Sequence, residues 1–157
     1  MAISTIDGTV EEVVIRRRRS QGSFYDRIKF RLDDGSTKTW TKAHVANKVG
    51  DLLVPGTRGR FYFYRALDLR GLGGVRTDDG RAVFCVPRFN EYAGLGIAFS
   101  MTLLTVFNVT MLQQVSLWAL ILAILGVPMF FFYRQNRVDT ERAFEADAGY
   151  RPAARAT

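Results

Sequence analysis

From Ala93 to Tyr133 the chain runs 41 residues without a charged side chain, and all of its 22 basic and 15 acidic residues lie elsewhere. A water-soluble domain seldom carries such a run. Divided at Gln113-Gln114, it gives two apolar segments, residues 92–112 and 115–133. At about 1.5 Å of rise per residue, each covers the roughly 30 Å of hydrocarbon in a bilayer. The paired glutamines, followed by Ser116, mark the tight turn of a transmembrane helical hairpin rather than one long helix. The other 116 of the 157 residues offer too little apolar helical surface to enclose two core helices.

Charge near the ends of the segments sets an orientation. Arg76, Arg81 and Arg88 precede the first, Arg134, Arg137 and Arg142 follow the second, and the turn has none. Both termini are therefore expected in the cytoplasm, with the hairpin in a membrane, read as a bacterial inner membrane. The start Met1-Ala2-Ile3-Ser4 lacks a basic stretch leading into an apolar one, so no cleavable signal is expected. Tyr92, Trp118 and Tyr133 fit interfacial anchors, and Asn90 fits a cap for the first helix. Pro128, after Gly126, is expected to kink the second. Gly94, Gly96, Ala98 and Thr102 on the first helix, with Ala119 and Ala123 on the second, allow close approach, either within the hairpin or to another membrane subunit or second copy. The spans contain no ionisable group for a proton relay or coupled carrier, and the sequon at Asn108 falls inside the first.

Residues 1–88 carry the punctuation of a small β domain. Leu32-Asp33-Asp34-Gly35 and Thr77-Asp78-Asp79-Gly80 each place Asp-Gly between strand-like runs, a hairpin signal, and their shared flanks predict two similar hairpins. Strands are expected at about residues 6–17, 23–32, 36–41, 58–65, 69–76 and 81–87. A short helix fits Lys42 to Leu53, where Val45, Val49, Leu52 and Leu53 recur at helical spacing, with His44 exposed upon it. The expected fold is thus α+β: an OB-like β-barrel (1–88), a transmembrane hairpin (89–133) and a cytoplasmic tail (134–157) with a short helix before its frayed last residues. This order resembles, in reverse, bacterial membrane proteins that carry an OB-like soluble domain after their helices. No shared motif accompanies the likeness, which implies nothing about function.

The second strand alternates Ile28, Phe30 and Leu32 with Arg27, Lys29 and Arg31, so one face is basic. Arg16, Arg17, Arg18 and Arg19 end the strand before it. A solvated face partly offset by Glu11, Glu12 and Asp26 competes with contact to anionic lipid headgroups and with nucleic-acid phosphate binding. A membrane tether favours lipid over nucleic acid, which is the least expected partner. In the run Phe61 to Tyr64 the phenylalanines read as core and the tyrosines as a cover or interface. Trp40 reads as a core or rim aromatic.

Chemistry is sparse. There is no phosphate loop ending in Lys-Ser or Lys-Thr, no nucleophile elbow and no zinc spacing. Gly71-Leu72-Gly73-Gly74 reads as a bulge or flexible loop, the paired aspartates as turn formers, and Cys85, the only cysteine, as a small buried thiol. The chain is expected to be no enzyme and to use neither cofactor nor metal. The function expected is membrane-tethered binding or scaffolding, with an accessory subunit of a larger membrane complex as the alternative.

Overall fold

The computed structural model describes residues 3–66 and 69–150, which form two compact units. The first comprises residues up to Val86 together with those from Arg137 onward, and the second runs from Pro87 to Asn136.

The first unit is built on β1 (Ser4–Arg18), β2 (Gly22–Leu32), β3 (Thr37–Ala46), β4 (Arg58–Ala66), β5 (Leu69–Thr77) and β6 (Ala82–Phe84). The antiparallel order β3-β2-β1-β4-β5 closes on itself because β3 also pairs in parallel with β5, through Ala43–Arg70, His44–Gly71 and Val45–Leu72. The result is a closed five-stranded barrel. Beyond those pairs β6 takes the same edge of β5, opposite Gly74 to Arg76. Inward positions recur with period two, and Ile6, Val10, Ile28, Phe30, Phe61 and Phe63 are buried to 2% exposure or less in one apolar cluster. The phenylalanines interlock there: Phe30 lies 4.7 Å from Phe61 and 5.7 Å from Phe63, centroid to centroid. Trp40 covers Phe63 at 4.3 Å.

The two Asp-Gly sequences make the same turn. In one, Leu32 N–H donates to Ser36 O and Gly35 N–H to Leu32 O; in the other, Thr77 N–H donates to Arg81 O and Gly80 N–H to Thr77 O. Gly35 and Gly80 stand at φ 81° and 90°, where a side chain would be strained. Asp34 and Asp79 each accept from the backbone N–H two residues on, which tightens both loops.

Several expectations change or sharpen. Lys42 to Leu53 is not a helix: β3 continues to Ala46, and only α1 (Asn47–Gly50) is helical. The apolar residues before Asn47 serve the barrel, since Ala43 and Val45 are wholly buried between β2 and β5. His44 accordingly lies on a strand, half-buried, with its ring 4.8 Å from that of Phe24. Of the two readings of Gly71 to Gly74, the structure takes the bulge and not the loop. The stretch belongs to β5, with a register shift where Tyr62 pairs Gly74 and Phe63 pairs Leu72, leaving Gly73 as the bulged residue.

These glycines make room on the outer side of β4 and β5. A side chain at Gly71 would collide with the Tyr64 ring, and one at Gly74 would lie 2.8 Å from the Phe144 ring. Phe144 packs against Tyr62 at 5.1 Å and Phe84 at 5.3 Å, with the Arg76 guanidinium 4.1 Å from its centroid. Arg76 Nη2 also donates to Phe144 O at 2.9 Å. Three residues on, Asp147 accepts from Tyr62 Oη at 2.8 Å and Arg60 Nη1 at 3.1 Å, while Arg60 grips Asp7 with both remaining donors. Residues 137–150 thus form a strap on the barrel. The residues after Tyr150, read as a frayed tail, lie outside the described residues.

The second unit contains α2 (Phe89–Leu112) and the greater part of α3 (Leu117–Ala146), two helices long and apolar enough to cross a membrane. The cap position of α2 is Arg88, without a side-chain cap bond, so Asn90 falls inside the helix instead of capping it. Gln113 ends α2 in the left-handed region (φ 49°), its N–H donating to Asn108 O. Pro128 lies within α3.

Candidate functional site

Of the seven cations singled out in the sequence, three are ion-paired. Arg27 pairs with Glu12 at 3.0 Å, and Lys29 with Glu11 at 3.0 Å; Arg31 shares Glu11. The hydrogen bond from Lys29 comes first among the causes that hold the Glu11 carboxyl below its ordinary value. A register shift between Val10 and Glu12 skips Glu11, so both acids join the cations on the outer surface. The basic face of β2 is therefore a ladder of ion pairs carrying three cations on two carboxylates.

The other four arginines differ. Among the described residues Arg16, Arg17, Arg18 and Arg19 form no ion pair, and all are exposed. Consecutive strand residues should alternate between faces, yet Arg16 and Arg17 line one groove of about 380 Å³ together with Arg19, the residue after β1. The cause is local: pairing passes from Ile15–Tyr25 directly to Arg17–Phe24, so Arg16 is bulged and re-aimed. Lys42 completes a set of four cations, and Phe24, Tyr25 and Asp26 supply the rest of the lining.

Two further irregularities meet there. Asp26 is skipped where β1 pairing passes from Val14–Arg27 to Ile15–Tyr25. Lys42, at the level of Asp26 on β3, stands at φ 54°, a left-handed conformation that costs a residue with a Cβ roughly 1–2 kcal/mol. Each of β1, β2 and β3 thus departs from regular geometry at a residue lining the same groove, and backbone strain of this kind clusters at functional sites. Phe24 is half-buried, with His44 beside its ring and the Arg19 guanidinium 5.6 Å from its centroid. Burial, followed by the Arg19 charge, lowers the pKa of His44 and so disfavours its imidazolium form. With one carboxylate against four cations, the groove carries an excess of three positive charges.

A second groove, of about 450 Å³, shares Arg19 and Tyr25 with the first and includes Arg18. Asn47 braces the β1–β2 turn beside it, donating from Nδ2 to Arg19 O at 3.0 Å and Ser20 O at 2.9 Å.

In the helical unit the predicted packing residues separate. A side chain on Gly94 would lie 2.9 Å from Gly126 O, and one on Gly126 would lie 2.6 Å from Gly94 O and 2.7 Å from the Ala98 Cβ. Gly94, Ala98 and Gly126 therefore mark a close approach of α2 and α3. Ala119 is buried and Ala123 partly so. Gly96 takes no part in this contact, since a Cβ there would meet nothing within 4 Å.

Sequence reasoning missed Lys42, Phe24 and Gly126. The alternation of inward residues gives the missing signal: it breaks between Trp40 and Ala43, as it does between Tyr25 and Ile28. Compared with protein-family models, curated proteins and solved structures, the chain matches none.

Proposed function

We propose that this chain is a membrane-anchored binding module without intrinsic catalysis, in which an OB-like barrel presents the basic groove to an anionic partner. The observation that carries the anchor is exposure: only 6% and 11% of the apolar windows of α2 and α3 are buried, and Phe99, Phe107, Trp118, Ile124 and Phe131 all face outward. Core helices of a soluble protein hide such side chains, whereas a bilayer solvates them. The five-stranded closure through parallel β3 and β5, with α1 between β3 and β4, supports the OB-like reading of the barrel. Arginines before α2 and after the apolar part of α3 support an orientation with both termini in the cytoplasm, which we read as the cytoplasmic side of a bacterial inner membrane.

Alkaline carbonate extraction of cell membranes tests the anchor. The chain stays in the pellet; release into the supernatant overturns the proposal. An accessory role in a larger membrane complex is a second reading, favoured by the outward apolar faces of both helices. Purification in mild detergent decides between them, since a stoichiometric membrane partner supports the subunit and a lone chain opposes it.

A further inference from the structure

We propose that the groove between β1, β2 and β3 binds single-stranded nucleic acid. This rests on the groove being the binding surface of the barrel, and it does not depend on the membrane placement.

Charge selects a polyanion. Arg16, Arg17 and Lys42 line the concavity with no ion-pair partner among the described residues, so each is available to a phosphate. The aromatic ring narrows the choice. Phe24 carries a guanidinium over its ring and lines the same space, a stack that an unpaired base can join. A phospholipid headgroup has no π face to use it. Shape argues the same way: a bilayer surface is met by flat or convex polybasic surfaces, whereas these cations lie around a concavity of about 380 Å³. The neighbouring groove of about 450 Å³ lies across Arg19, and both volumes fall in the range of small-ligand sites. A ligand of repeating phosphate and ring units matches two such spaces sharing a cation. Duplex bases are stacked on each other and cannot reach Phe24. The broad basic face that favoured lipid is offset by Glu11 and Glu12.

The test uses the full chain in neutral detergent and a fluorescein-labelled oligothymidylate of about 15 nucleotides, followed by anisotropy over a salt series. Binding is expected to weaken with salt at a log–log slope of about −2 to −3, the value for three or four phosphate contacts on a single strand. The variant Phe24→Leu should lose about tenfold in affinity at unchanged slope, and Phe24→Tyr, which keeps the ring, should retain it. Arg16→Gln with Arg17→Gln should flatten the slope to about half, and the matching duplex should bind at least about tenfold more weakly. Thermal midpoints equal to that of the unmodified chain show that the variants are folded. The proposal is overturned by no binding at about 50 mM salt, by Phe24→Leu and Phe24→Tyr binding alike, or by dihexanoylphosphatidylglycerol displacing the oligonucleotide where thymidine triphosphate does not. The last result would give the groove to lipid headgroups. None of these variants touches α2 or α3, so failed oligonucleotide binding leaves the carbonate result standing, and failed membrane retention leaves the groove standing.

Discussion

Replacing Phe144 by alanine should destabilise the barrel severely, although this residue belongs to the helix that begins in the apolar hairpin. Its ring is 9% exposed and is held between Tyr62, Phe84 and the Arg76 guanidinium. Truncating a buried phenylalanine costs about 3–5 kcal/mol, including the cavity left behind. Phe144 stands outside the central apolar cluster, so water can enter the vacated space and the low end, about 3 kcal/mol, applies. For a unit near 100 residues that corresponds to a fall of about 12–20 °C in the unfolding midpoint. Trp40, stacked on Phe63, reports the barrel once Trp118 has been replaced by phenylalanine, and fluorescence is followed on heating the full chain in detergent. A second variant isolates the contact. Gly74→Ala would bring a methyl 2.8 Å from the Phe144 ring and 3.1 Å from the Phe84 ring, so it should be costly alone and lose the Phe144 share of that cost beside Phe144→Ala, a coupling of at least about 1 kcal/mol. A midpoint within about 3 °C of the parent, or additive effects of the two changes, would refute the idea that residues 137–150 are integral to the barrel.

Other outcomes follow from the same contacts. Burial works to raise the Asp147 pKa, but hydrogen bonds from Tyr62 and Arg60 outweigh it and hold the carboxyl below its ordinary value. A group with a depressed folded pKa stabilises above its unfolded value, near pH 4, and loses that contribution as the pH falls through the folded value. Asp147→Asn should therefore lose less stability on acidification than the parent, with denaturation curves converging at the lowest pH; parallel curves contradict this. Because Lys42 stands at φ 54°, Lys42→Gly should be about 1 kcal/mol more stable than Lys42→Ala, reversing the usual order in a strand. Urea denaturation that favours alanine would dismiss strain at this position. In the hairpin, Gly126→Ala should lower the aggregation temperature in mild detergent because its methyl meets the Gly94 carbonyl, while Gly96→Ala, which meets nothing within 4 Å, should not. Equal effects would displace the contact from Gly126.

Much of the architecture was legible because it depends on local chemistry. Asp34-Gly35 and Asp79-Gly80 form turns with little help from distant residues, and Phe61 and Phe63 alternate cleanly with Tyr62 and Tyr64. The charge-free run needs only counting. Features that depend on pairing between strands were hidden. Glu11 and Glu12 reach the cations of β2 only through a bulge, and Arg16 joins Arg17 in the groove through another. Val45 stands four residues before Val49, which reads as a helical period when β2 and β5 are out of view, yet Val45 belongs to β3 and Val49 to α1. Tyr62 was legible as a cover or interface residue, but what it packs against, Phe144 and Asp147, comes from more than 80 residues away. Glycines 71 and 74 look like loop residues until the rings of Tyr64 and Phe144 are placed over them.

The central proposal, an apolar hairpin that anchors a cytoplasmic barrel, meets its most direct test in protease protection. Intact spheroplasts expressing the full chain with an N-terminal epitope are treated with protease from outside, before and after lysis. The account predicts that the epitope and barrel survive in intact cells, pellet with the membranes, and are cut only after lysis. Loss of the epitope from intact spheroplasts, or recovery of the chain in the soluble fraction, would contradict it.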